Sequence, residues 1–380
     1  MKKAFVFFFC VALASNDIHA QAPSVTADEH MNTAIDAALA DLYNLNFEKA
    51  KAGFRQMTID YPGHPIGPYG LTTALWWELT NEYDEKNAAL EKEFFAANDH
   101  LVQMTRRAIK QGDPSGIHRL CLGGSLGLLA RWDAIQGHWL AAYRNGKQAF
   151  DLQMESIKLN PELYDAYLGP GIFHYYVAVL PKAAKFFAHM VFGGSKTQGL
   201  DEIRLSMTKG RFSRTAARLF LVNIYTNNEK DPATALELLR EGRKEYPDSP
   251  FFQFVELLVL EEAREWDALE TGATDFLARI QSGHPHYGAN LEHRGLFALA
   301  NSYLGKRETD KALALYTRIL NDFPFEDRWI SMTYLNRGKT YDLLGRREEA
   351  LADYRAVLKR RDVWQLHDKA KVLIRRPFKP

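Results

Sequence analysis

The chain has 380 residues, of which 46% are hydrophobic and 25% charged, and its formal net charge is +1. This is the balance of a globular protein, with room for two or three domains or one elongated repeat array. It excludes a largely disordered chain, and its near-neutrality argues against a broad basic face of the kind that grips nucleic acid.

The first element is an export signal. Lys2 and Lys3 open the chain, Ala4 to Ala14 form a short apolar run, and Ile18-His19-Ala20 is a small-residue cleavage site. The run falls short of the roughly 20 residues that cross a bilayer. Cleavage at Ala22 is disfavoured by Pro23, and Cys10 lies inside the apolar run instead of after it, as a lipoprotein would need. The expectation is a periplasmic or secreted protein, processed near Ala20. Processing removes two lysines and Asp17, takes the formal charge from +1 to zero and leaves Cys121 as the single cysteine. The mature chain then has no internal disulfide.

From there on, apolar residues recur at i, i+3, i+4 and i+7 almost throughout, and no alternating strand pattern emerges. Residues 28–62 read as a helical hairpin. Between 64 and 160 the helices look overgrown. "EYDEKNAALEKEFFAANDHLVQMTRRAIKQGDP" and "WDAIQGHWLAAYRNGKQAFDLQMESIKLNP" each read as close to thirty residues of helix. The most apolar internal stretch, 164–196, is predicted as a helix over Gly171 to Leu180, broken by Pro181 and followed by a short helix with Lys182 and Lys185. A proline and two charges exclude a simple membrane span.

One spacing organises the rest. Ala50 and Pro62, Ala149 and Pro161, Ala235 and Pro247, and Ala312 and Pro324 are each twelve residues apart, with Ala273 and Pro285 in a looser frame. A small residue early in a helix admits a close neighbour, and a proline just beyond the end stops the helix. Ahead of the alanine stands a partner helix, as with Leu296, Leu299, Ala300 and Tyr303 before Ala312, or Tyr334, Gly338 and Tyr341 before Ala350. This pattern resembles the tetratricopeptide repeat (TPR), a helix-turn-helix unit of about 34 residues. The likeness is strongest over 286–361 and looser over 213–285 and 28–62. It departs at Asp362, where the last unit would carry proline. The central "GIFHYY", "LP" and "VFGGSKTQGLDEI" are similar to a segment of a eukaryotic inclusion-body-clearance, tetratricopeptide 39-type family. That resemblance implies shared architecture, not a shared task. The expected fold is an all-α, TPR-like α-solenoid of stacked antiparallel helical hairpins. The expected division is a signal peptide at 1–20, an irregular helical region at 21–212 and TPR-like repeats with a capping helix at 213–380.

Sites for catalysis or metal are weakly supported. "GGSLG" at 123–127 matches the serine-hydrolase elbow, but that elbow needs a strand entering it, and Leu120, Leu122, Leu126 and Leu129 run through it at helical spacing. His284, His286 and His293 lack the converging ligand set of a zinc site. His174 is readable as a buried base facing Asp165 or Glu162, or as a satisfied core hydrogen bonder. Neither cofactor nor metal is expected, and the chain is not read as an enzyme. Of Trp76 and Trp77, about 100° apart on a helix, one belongs in the core and the other in a groove or interface.

The surviving reading is a scaffold. In stacked hairpins the first helices line a concave face. Repeat position assigns Arg294, Phe297, Asn301 and Leu304 to that face, then Leu335, Asn336, Lys339 and Asp342. Such a mix suits a protein or peptide partner. Relatives that clamp a carboxylate use paired basic residues and asparagines. Phe297 stands where the first lysine would be, so no clamp is expected. The alternative is peripheral contact with a membrane surface, through 171–192 and a tail in which Lys359 to Pro380 hold eight Lys or Arg against two Asp.

Overall fold

The structure is a computed structural model, and it describes residues 29–81, 86–180, 194–324 and 328–379. Residues 1–20, read as a signal peptide, and the whole 181–193 stretch expected to hold a short basic helix lie outside those residues. Among the described residues there are seventeen α-helices and no strand. They fall into two compact units, Met1–Ile224 and Tyr225–Pro380.

In the first unit α1 (Glu29–Tyr43) and α2 (Phe47–Asp60) form a hairpin, followed by α3 (Ile66–Asn81), α4 (Ala88–Lys110), α5 (Ile117–Ile135) and α6 (Trp139–Leu159). The unit closes with α7 (Leu168–Val179), α8 (Lys196–Lys209) and α9 (Arg214–Ile224). Each helix packs on the next, and α3 also reaches α5. The second unit begins with a π-helical turn at Tyr225–Glu229. It continues through α10 (Pro232–Glu245), α11 (Pro250–Ala263), α12 (Trp266–Gln281), α13 (Glu292–Gly305), α14 (Thr309–Asp322), α15 (Arg328–Leu343), α16 (Arg347–Leu358) and α17 (Leu366–Arg375). The boundary between the units lies at 224/225 instead of the expected 212/213, because α9 packs back on α8.

The alanine–proline spacing has its expected physical meaning. Ala50, Ala149, Ala235, Ala273, Ala312 and Ala350 are all buried. The residues ahead of four prolines have left the helical region: Tyr61 has ψ 67°, Asn160 97°, Tyr246 67° and Phe323 75°. A following proline forbids the α conformation by clashing with the preceding residue. Pro285 is the outlier: α12 ends at Gln281, and Ser282 remains α-helical, so here the turn carries the stop.

Hairpin turns follow one pattern. A residue with left-handed φ ends the first helix, and the next N–H bonds back five residues. Arg307 has φ 64°, and Glu308 donates to the Tyr303 carbonyl at 2.8 Å; Gly345 has φ 73°, and Arg346 donates to Tyr341 at 2.9 Å. The same motif corrects one expectation. The second long stretch, starting at Trp132, is two helices, because Gly137 at φ 78° ends α5 and His138 donates to the Asp133 carbonyl at 2.7 Å. Glycine takes that conformation at no steric cost. The other long stretch yields α4, with 23 residues, capped by the Asn87 side chain on the Leu90 N–H. Helices of 23 and 21 residues in α4 and α6, against 14 in α13 and α14, keep the overlong character of the amino-terminal half.

"GGSLG" lies inside α5, with no elbow. Gly123 backs onto Gln153 and the Ala149 carbonyl, and Gly124 onto the Tyr69 ring. Ser125 is buried, donating to Asn98 Oδ1 at 3.0 Å. Trp76 packs in the core against Phe94 and Trp132, while Trp77 meets Tyr43 edge-on at 5.2 Å. Both indoles are therefore used within the first unit.

Candidate interaction surface

In the second unit the first helices of successive hairpins stack on one another: α11 on α13, α13 on α15, and α15 on α17. Behind them α12, α14 and α16 supply the apolar backing. Tyr316 of α14 and Tyr354 of α16 are fully buried against Phe297 and Leu335. This inner layer is where repeat position placed the candidate site.

The eight residues divide unequally. Arg294, Phe297, Asn301, Leu335 and Asn336 are buried. They lie between stacked helices and do not line an open groove, which corrects the expectation for them. Phe297 and Leu335 belong to the hydrophobic clusters of their repeats, and the Trp329 ring lies 5.8 Å from that of Phe297. Leu304 and Lys339 are partly exposed and remain on the face. Asp342 is on it too, but its side chain is only 1% exposed.

Burial of the two asparagines has a specific cause. Lys339 Nζ donates to Asn336 Oδ1 at 2.8 Å, Asn336 Nδ2 donates to Asn301 Oδ1 at 3.0 Å, and Asn301 Nδ2 donates to Glu261 Oε2 at 2.7 Å. From behind, the Tyr316 hydroxyl adds a bond to Asn301 Oδ1 at 2.6 Å. The chain of bonds crosses α15, α13 and α11. A donor-only ammonium and an acceptor-only carboxylate at its two ends fix the orientation of both amides. Burial pushes the Glu261 carboxyl above its ordinary range, opposed by the Asn301 bond and the Lys339 charge. The asparagines are visible in the sequence through their equal repeat positions. Glu261 is not, because its register is hidden in the looser unit, and Tyr316 shows there only as an aromatic of the repeat.

A second constellation surrounds Asp342. Arg347 Nη1 reaches both carboxylate oxygens, at 2.8 and 3.1 Å, and the Tyr354 hydroxyl donates to Oδ2 at 2.8 Å. The Phe378 backbone N–H donates to the same Oδ2 at 2.8 Å. Arg347 Nη2 also holds the Leu373 and Ile374 carbonyls, at 2.9 and 2.7 Å. It thereby satisfies two carbonyls that the end of α17 leaves open. Deprotonation of Tyr354 is driven far out of reach by burial and by the Asp342 carboxylate.

The remaining candidates are placed as follows. His174 Nδ1 pairs with Glu202 Oε2 at 2.6 Å, not with Asp165 or Glu162. Asp165 instead accepts the Ser213 N–H at 2.8 Å and the Ser213 hydroxyl at 2.6 Å. His284 lies 3.3 Å from Asp248, and His293 is buried with its ring centroid 5.6 Å from that of Phe323. Among the described residues no three His, Cys, Asp or Glu side chains are placed to share a metal ion, and no helix is long and apolar enough to cross a membrane.

Comparison with known proteins bears on this layer directly. The tetratricopeptide repeat family matches residues 294–325, which take in nearly all of the α13–α14 hairpin. No curated protein matches the chain. Among solved structures, the APC/C hetero-tetramer Cut9–Hcn1 is similar over 89% of this chain and 68% of that one, with 12% identity and a TM-score of 0.29. The chain is thus an all-α, TPR-like solenoid protein built of stacked antiparallel hairpins, with one repeat matched at the family level.

Proposed function

We propose that the chain is an exported scaffold that binds a protein partner on the inner layer of its second unit. The observation that carries this reading is the Lys339–Asn336–Asn301–Glu261 chain of hydrogen bonds. It ties three hairpins into one preorganised surface, and preorganisation lowers the entropic cost of binding. Export rests on the pattern of residues 1–20. The test is site-specific photocrosslinking in the native envelope, with p-benzoylphenylalanine at Leu304 and, as an off-face control, at Lys244, which is exposed on α10. The expected outcome is one crosslinked partner from Leu304 and none from Lys244. Equal products from both positions would remove the inner layer as the binding face.

A second reading, peripheral contact with an anionic membrane surface, is favoured by α17. Val372 is 59% exposed there, between the exposed Lys371 and Arg375. Flotation of the mature protein with phosphatidylglycerol vesicles supports that reading, and absence from the floated fraction rejects it.

A further inference from the structure

The last described residues follow the inner layer instead of leaving it. After α17 the backbone becomes extended at Arg376, with φ −136° and ψ 120°. This is the conformation imposed on a residue before proline, here Pro377. The chain then crosses α15. Its Phe378 N–H bonds to Asp342 at 2.8 Å, and Lys339 Nζ lies 5.7 Å from the centre of the Phe378 ring. Both contacts fall on residues that repeat position assigns to the partner-binding face. Arg347, holding Asp342 and the last carbonyls of α17, fixes the angle at which the segment arrives.

From this geometry we infer that the Lys339–Asp342 face of α15 is a docking site for an extended peptide presenting proline followed by phenylalanine. Residues 376–379 of the chain are its internal occupant. Recognition has three elements. A buried carboxylate with a fixed environment accepts a backbone N–H, a contact any extended peptide supplies. A cation lies over an aromatic face, which selects the residue bearing that N–H. The preceding proline holds the chain extended at no further entropic cost. Arg376, Pro377 and Lys379 are exposed, and the contacts of this segment with α15 described above are those of Phe378, so a competitor that replaces them can displace it. Any partner with the same sequence chemistry meets a site that is already filled, and its apparent affinity falls by the fraction of molecules with the site open.

This inference deepens the scaffold reading and rests on it, but its test needs no natural partner. The probe is a fluorescein-labelled, end-blocked heptapeptide copying residues 373–379, with a second peptide carrying alanine in place of phenylalanine. Full-length wild type and Phe378→Ala are titrated by fluorescence anisotropy, after circular dichroism has confirmed equal helicity. The native-sequence peptide should bind Phe378→Ala about tenfold more tightly than wild type, and the alanine peptide should bind neither. Equal affinity for the two chains, or binding of the alanine peptide, would overturn the inference. A second measurement is independent of the variant's folding. On wild type, excess peptide with p-benzoylphenylalanine at the phenylalanine position should crosslink within residues 328–343, and crosslinking elsewhere would also overturn it. If the peptide behaves as expected while Leu304 crosslinks no partner in the envelope, the scaffold reading fails and the docking site stands. If Leu304 crosslinks a partner and the peptide is inert, the docking site fails and the scaffold reading stands.

Discussion

Asn301→Ala separates two views of the same residue. Asn301 is buried and makes three hydrogen bonds: to the Glu261 carboxylate, from the Tyr316 hydroxyl and from the Asn336 amide. A neutral bond contributes about 1 kcal/mol net, and one to a charged group about 1.5–3 kcal/mol. Truncation strands all three partners between packed helices, for a loss of about 4 kcal/mol. Domain stabilities are of order 5–15 kcal/mol, so the second unit would keep only a modest margin. The assay is urea unfolding of the full chain, with hydrogen exchange on peptides from 250–343 to follow that unit. With an m-value of about 2 kcal/mol/M, its midpoint should fall by about 2 M. Were Asn301 a solvent-facing groove residue, as repeat position alone suggests, the change would stay within about 0.5 kcal/mol. A midpoint shift below about 0.3 M at that m-value would refute the hydrogen-bonded chain through Asn301.

Two further outcomes follow from local geometry. A Cβ on Gly124 would stand 2.3 Å from the Tyr69 hydroxyl, whereas one on Gly127, a single turn further along α5, meets nothing within 4 Å. Gly124→Ala should therefore cost the first unit about 2 kcal/mol through overpacking, while Gly127→Ala gains about 1 kcal/mol from helix propensity; thermal melts of the two should move in opposite directions. Glu261→Gln tests the raised carboxyl. A carboxyl raised in the folded state favours its protonated form, so its contribution is full below the unfolded-state value and declines as pH rises through the folded one. Glutamine still accepts the Asn301 amide, so the variant should melt above wild type at pH 8 and converge with it near pH 4; a pH-independent difference would argue against a buried carboxylate there.

Fold class was legible because it rests on a period. Apolar residues at helical spacing and the alanine–proline interval express sterics that act within one hairpin. The buried alanines and the extended residues before Pro62, Pro161, Pro247 and Pro324 are their direct result. Gly137 was harder to read, since a single glycine within an apolar-periodic stretch is either tolerated or a stop, and only its left-handed φ distinguishes the two. For the candidate residues, the shared helix layer was legible but not their exposure. Asn301 and Asn336 occupy equivalent places, yet whether an asparagine faces solvent or a neighbour depends on the next repeat's donors. Glu261 lies forty residues from Asn301, beyond any pattern within one hairpin. The contact of Phe378 with Asp342 spans thirty-six residues and follows from no periodicity at all.

The hydrogen bonds along the inner layer all point the same way, each donor serving an acceptor on the amino-terminal side. A glutamate suits only the start of such a relay and a lysine only its finish, whereas an asparagine fits anywhere between, since it receives on one side and gives on the other. The stack therefore has a grammar: hairpins bearing asparagine can be duplicated or excised without orphaning a polar group, and exchanging the two ends would turn both amides over, so that the relay runs the other way.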